Sequence, residues 1–109
     1  MSVSPSVLSA IFSDETSLFR CPSEPDPGDN VIIRIRVPKG CAKRVMLSTG
    51  QDNMSILMHR QSEDEFFDWY EAGIVCEDSA IGYRFLIEDI NGAHILYDKG
   101  GARELAHGT

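Results

Sequence analysis

The chain has 109 residues, 42% hydrophobic and 25% charged, with a net charge of −7 and a pI near 4.8. That length and balance describe one ordinary domain with enough chain for a two-layer core. The acidic excess repels phosphate backbones and anionic membrane surfaces, which argues against nucleic acid or a membrane as partner. No run approaches the ~20 apolar residues that a spanning helix needs. The N-terminal MSVSPSVLSAIF has neither a basic n-region nor a long apolar h-region, so no signal peptide is read and a cytoplasmic location is expected.

Residues 1–8 are Ser-rich and read as a flexible segment. Ile11–Phe12 and Leu18–Cys21 suggest a first, interrupted strand. The stretch Pro22–Asn30, with three prolines, a glycine and acidic residues, reads as a loop. In Val31–Val37 the residues Val31, Ile33, Ile35 and Val37 alternate with Ile32, Arg34 and Arg36, a period of two that predicts a half-buried strand closed by Pro38-Lys39-Gly40. Lys43–Ser48 predicts the next strand, with Val45 and Leu47 inward. Met54–His59 predicts another, of ambiguous register because Ile56, Leu57 and Met58 are consecutive apolar residues, and Gln61–Glu65 reads as a charged turn. Phe66–Val75 turns Tyr70, Ala72 and Ile74 to one face and Phe67, Trp69 and Glu71 to the other. In Ala80–Glu88, Ile81, Tyr83, Phe85 and Ile87 share a face; Asn91-Gly92 then tolerates positive φ, so this strand and Ala93–Tyr97 form an antiparallel hairpin. About seven short strands with a turn every dozen residues predict an all-β, immunoglobulin-like sandwich.

The motifs that carry chemistry fall away one by one. Asp64–Glu65, Glu77–Asp78 and Glu88–Asp89 are paired acids, but each sits at a predicted turn where sequence neighbours point apart and water is plentiful. A glycosidase needs two carboxylates flanking one bond, one of them raised by partial burial. His59, His94 and His107 are dispersed, and Cys21, Cys41 and Cys76 form no CxxC pair. The cysteines read as free buried thiols, and no metal or cofactor is expected. Asp89–His94 lacks the ligand series of a calcium loop, and Ser48, Ser55 and Ser79 have no nucleophile-elbow context.

Ala10-Ile11-Phe12, VIIRIRVPKGCAKRVML at Val31–Leu47, FFDWYEAGIV at Phe66–Val75 and YRFLIEDINGAHILYDKGG at Tyr83–Gly101 together resemble the N-terminal domain of neopullulanases, cyclomaltodextrinases and maltogenic amylases. These belong to the α-amylase superfamily (glycoside hydrolase family 13), and the domain is classed as a family-34 carbohydrate-binding module. The similarity covers residues 9–101. Its most specific pieces are the FDWYEA segment and the GYRFLIEDINGAHILYDKGG hairpin. The resemblance implies an Ig-like domain preceding a (β/α)-barrel that hydrolyses α-glucans; a barrel of that kind takes about 250 residues, so it lies outside these 109. The tail GARELAHGT departs from the family's usual run, and residues 102–109 read as the start of a linker or a tail. The implied partners are α-glucan oligosaccharides (maltodextrin, cyclodextrin, pullulan), the catalytic barrel of the parent chain and a homodimer mate. No catalytic residue, metal or cofactor is implied within this chain.

Sugar rings expose apolar C–H faces that stack on flat aromatic side chains, while amides and carboxylates bond the hydroxyls. Trp69, turned outward with Phe67 by the strand alternation, is the first candidate for such a platform, and Tyr97 near the end of the last strand is the second. The same residues serve equally as a protein interface or as filling at the sandwich rim. Two classes therefore stay open: an accessory module of an α-glucan hydrolase, and an Ig-like interaction domain with no sugar affinity.

Overall fold

In a computed structural model of the chain, residues 5–14, 16–22, 24, 26–49, 55–75, 83–98 and 100–105 are described. They form one short helix, α1 (Pro5–Ala10), and nine strands: β1 (Arg20–Cys21), β2 (Asn30–Pro38), β3 (Ala42–Thr49), β4 (Ser55–Leu57), β5 (His59–Glu63), β6 (Phe67–Val75), β7 (Tyr83–Asp89), β8 (His94–Asp98) and β9 (Gly101–Glu104). All pairings are antiparallel. One sheet has the order β1-β2-β6-β5 and the other β4-β3-β7-β8-β9. The two layers confirm the expected sandwich, with more strands than the seven anticipated.

The two-residue period of β2 is realised in full: Val31, Ile33, Ile35 and Val37 are completely buried, while Ile32, Arg34 and Arg36 face away. Opposite them, Val45 and Leu47 of β3, Phe85 and Ile87 of β7, and Ile95 of β8 come from the second sheet. The inner faces interdigitate as sandwich cores do, and each completely buried aliphatic side chain contributes about 1.5–3 kcal/mol of transfer free energy.

The apolar run Ile56-Leu57-Met58 is ambiguous in sequence because the chain changes sheets there. β4 pairs with β3, β5 pairs with β6, and Met58 sits between them, buried, its N–H donating to Val45 O at 2.8 Å. One expected strand is therefore two. The expected turn at Gln61–Glu65 also moves: β5 runs through Glu63, Gln61 lies at an irregularity in its register with β6, and the reversal occupies Asp64–Phe66.

The interrupted first strand is present. Phe12 exchanges two hydrogen bonds with Arg36, each 3.0 Å, and Arg20–Cys21 pairs with Ile33 and Ile32 farther along β2. Two departures flank the domain. Residues 5–8 of the expected flexible segment, together with Ser9 and Ala10, form α1, whose Val7 and Leu8 pack on the core. Residues 101–104, expected in part as linker, form the edge strand β9 on β8.

The β7–β8 hairpin is confirmed, with Glu88 opposite His94 and Phe85 opposite Tyr97. Its turn is organised less by Asn91 than by the buried Asp89, whose Oδ1 accepts from Asn91 N (2.9 Å) and Ala93 N (2.8 Å). Gly92 takes φ +88°, where a Cβ is strained. The start of the expected strand at Ala80–Gly82 lies outside the described residues.

Candidate functional site

The alternation of β6 places its side chains as expected. Asp68, Tyr70 and Ala72 are buried, while Phe67, Trp69 and Glu71 point to the outer face of the four-stranded sheet. On that face Trp69 stands between Arg36 of β2 and Ser62 of β5.

Two contacts fix the indole. Its Nε1–H donates to Asp64 Oδ2 at 2.9 Å, and its ring stacks on Phe19, with centroids 5.4 Å apart and planes inclined by 22°. Phe19 is itself buried and meets Phe12 edge-on at 5.2 Å. The segment between α1 and β1 thus lies over part of this sheet face and supplies one side of the aromatic cluster. Trp69 lines a cleft of about 250 Å³ shared with Leu18, Arg34, Gln61, Ser62, Tyr70 and Glu71. Arg34 Nη1 donates to Leu18 O (3.2 Å) and Arg34 Nε lies 4.0 Å from Glu71 Oε1, which orients the charged side of the cleft. An aromatic wall beside a guanidinium, a carboxylate, an amide and a hydroxyl is a donor and acceptor set suited to a neutral polyhydroxy ligand.

The other candidates are placed differently. The ring of Phe67 is covered by the Arg36 guanidinium at 4.5 Å, which also sits 5.2 Å from the Phe12 ring. Phe67 is therefore the end of an aromatic–cation stack on the Trp69 face. Tyr97 is on the other sheet and is not part of that face. Its ring packs beside Phe85 at 6.0 Å, and its hydroxyl donates to Ser13 O (2.8 Å) and accepts from Ser13 N (3.1 Å). That geometry makes Tyr97 a tie between β8 and the N-terminal segment.

The acids divide in the same way. Asp64 is exposed and its carboxyl is held below the usual range, first by the Trp69 indole and then by the Phe66 and Phe67 backbone N–H groups. Glu88 is paired with Arg44 at 3.0 Å. Asp89 is buried where a solvated turn was expected, because it bonds the turn's own backbone. Asp68 is buried too, with Oδ2 accepting from Gly40 N at 3.0 Å and Oδ1 lying 3.9 Å from Arg60 Nη1. Cys41 beside them has its thiol pushed up by burial and then by Asp89 and Asp68. Cys21 is exposed, contrary to the expectation of burial, since β1 is an edge strand. Glu77, Asp78, Cys76 and His107 lie outside the described residues.

A second surface lies on the outer face of the five-stranded sheet. The register sets Leu57 opposite Met46, Met46 opposite Leu86, and Leu86 opposite Leu96. These four apolar side chains form one row across the outer face of the five-stranded sheet. None belongs to the core. Ion pairs flank the row, Arg44–Glu88 on one side and Asp98–Arg103 on the other. The signal was in the sequence as the runs Val45-Met46-Leu47, Phe85-Leu86-Ile87 and Ile95-Leu96-Tyr97, strands that are apolar on both faces.

Two antiparallel sheets around one aliphatic core define the class: an immunoglobulin-like β-sandwich domain. Residues 8–108 match the family model described as the alpha amylase, N-terminal ig-like domain, and the chain belongs to that family. Among solved structures it is similar to the type III pullulan hydrolase from Thermococcus kodakarensis, with a TM-score of 0.64 and 13% identity over 87% of this chain and 16% of that one. It is also similar to a cyclomaltodextrinase, with a TM-score of 0.62 and 22% identity over 81% of this chain and 16% of that one. These likenesses are of fold. The chain spans about 16% of the length of either protein. A comparison with curated proteins gave no match.

Proposed function

We propose that this domain is the non-catalytic N-terminal module of an α-glucan-hydrolysing enzyme of the neopullulanase or maltogenic-amylase type, and that it holds maltodextrin, cyclodextrin or a segment of starch against Trp69. One observation carries the reading: the single tryptophan of the chain faces outward, anchored by Asp64 and Phe19, and lines a cleft with Arg34, Gln61, Ser62 and Glu71. Family membership and the pullulan and cyclomaltodextrin named for the two similar structures support the ligand class. Calorimetric titration with β-cyclodextrin and maltoheptaose tests it. The expected result is saturable binding in the high-micromolar to millimolar range, about 4–6 kcal/mol, lost in Trp69→Ala. A flat response up to ~10 mM overturns it.

A second role, assembly with the catalytic barrel or with a homodimer mate, is supported by the apolar row Leu57–Met46–Leu86–Leu96. Apolar centres rimmed by charge are the anatomy of protein interfaces. Leu86→Lys is expected to weaken self-association in sedimentation equilibrium, or to uncouple this domain from the barrel in scanning calorimetry of the parent enzyme. If the substitution changes neither, the row has no role in assembly.

A further inference from the structure

Asp64 is an exposed acid at the β5–β6 reversal, with no place in the expected inventory beyond that of a turn residue. Its two oxygens do separate tasks. Oδ1 accepts from Phe66 N (2.9 Å) and Phe67 N (2.8 Å), closing the turn that also carries the bond from Asp64 N to Phe67 O at 2.9 Å. Oδ2 accepts from the Trp69 indole N–H at 2.9 Å. One carboxylate therefore locks the backbone that starts β6 and the orientation of the aromatic ring two residues into that strand. Phe19 holds the same indole through its ring face, so the side chain is constrained along its edge and across its plane.

Rigid aromatic platforms bind better than mobile ones, because the rotamer entropy of the ring is lost on folding and not on binding. We propose that Asp64 is the positioning residue of the Trp69 platform, setting the indole so that its accessible surface faces the cleft before the glucan arrives. The assignment rests on the sugar-binding reading of Trp69, and it adds to that reading a residue that does not itself touch the sugar.

The chemistry of the side chain supplies a selective test. Asp64→Asn keeps an amide oxygen for the Phe66 and Phe67 N–H groups and turns an NH2 donor toward the indole donor. It therefore preserves the turn and removes the indole bond alone; Asp64→Ala removes both. The chain has one tryptophan, so the indole N–H gives one cross-peak in a proton–nitrogen correlation spectrum, readable without sugar. In Asp64→Asn the expected results are an unchanged melting temperature, an upfield shift and faster hydrogen exchange of that indole proton, and β-cyclodextrin binding weaker by about five-fold, the equivalent of one net hydrogen bond. An unmoved indole resonance overturns the positioning role. So does a freed indole with wild-type affinity. A wild-type chain that gives no saturable response to β-cyclodextrin overturns the sugar reading and the proposal together, and is told apart from the first two results because it appears before any substitution is made.

Discussion

Tyr97→Phe removes one oxygen atom and leaves the ring against Phe85, which makes it a clean probe of how the N-terminal segment is held. Two hydrogen bonds disappear, the hydroxyl's donation to Ser13 O and its acceptance from Ser13 N. Ser13 is only 7% exposed, so its peptide groups lose their partners without gaining bulk water. A net hydrogen bond contributes about 0.5–1.5 kcal/mol and an orphaned buried group costs about 1–3, which places the loss near 2 kcal/mol. At about 1–3 kcal/mol/M for urea, that moves the denaturation midpoint by roughly 1 M. In a thermal scan it lowers the midpoint by about 8–16 °C, at ~4–8 °C per kcal/mol for a domain near this size. Affinity for β-cyclodextrin is expected to be unchanged, because Tyr97 is on the sheet opposite to Trp69. A urea midpoint within ~0.2 M of wild type refutes the tie, and a stable variant that has lost sugar binding returns Tyr97 to the ligand platform.

Three further outcomes follow from single contacts. The Asp64 carboxyl is depressed chiefly by the Trp69 indole, so in Trp69→Phe its carbon-13 titration is expected to move back up toward the ordinary carboxylate value, while Asp98 stays low. Asp98 is lowered first by Arg103 and then by the Gly100 N–H. A depressed folded-state pKa stabilises above the unfolded value and loses that effect as pH falls through the folded one, so Arg103→Ala is expected to narrow the stability difference between pH 7 and the acid range below pH ~3.8; an unaltered pH profile of urea midpoints counts against the pair. Gly92 has open space around its missing Cβ but φ +88°, so Gly92→Ala is expected to cost about 1–2 kcal/mol through backbone strain alone, and a neutral effect on the melting temperature means that the turn relaxes.

Much of this architecture was legible because it rests on periodicity. The strict alternation of Val31–Val37 and of Phe67–Ala72 specified which side chains enter the core, and the outward direction of Trp69 followed from it. What the sequence hides are contacts made by residues far apart along it. The Phe19–Trp69 stack joins positions with all of β1 to β5 between them along the chain, and the Ser13–Tyr97 tie spans nearly the length of the domain. Neither has a local signature. The sheet change at Met58 was visible only as ambiguity, since a residue buried between two strands of different sheets satisfies no single period. In sequence Asp64 and Asp89 both look like solvated turn acids; polar side chains at turns bond their own backbone, and burial of Asp89 and the indole bond of Asp64 depend on what the turn packs beside.

The proposed role of the face around Trp69 is to receive an α-glucan. A proton–nitrogen correlation titration of the wild-type chain with maltoheptaose maps where the sugar sits. Saturable shifts are expected for the Trp69 indole and for the backbone signals of Leu18, Arg34, Gln61, Ser62 and Glu71, with Met46, Leu86 and Leu96 on the opposite outer face unmoved. No shifts up to ~10 mM sugar, or shifts centred on that opposite face, rule out a glucan site at Trp69.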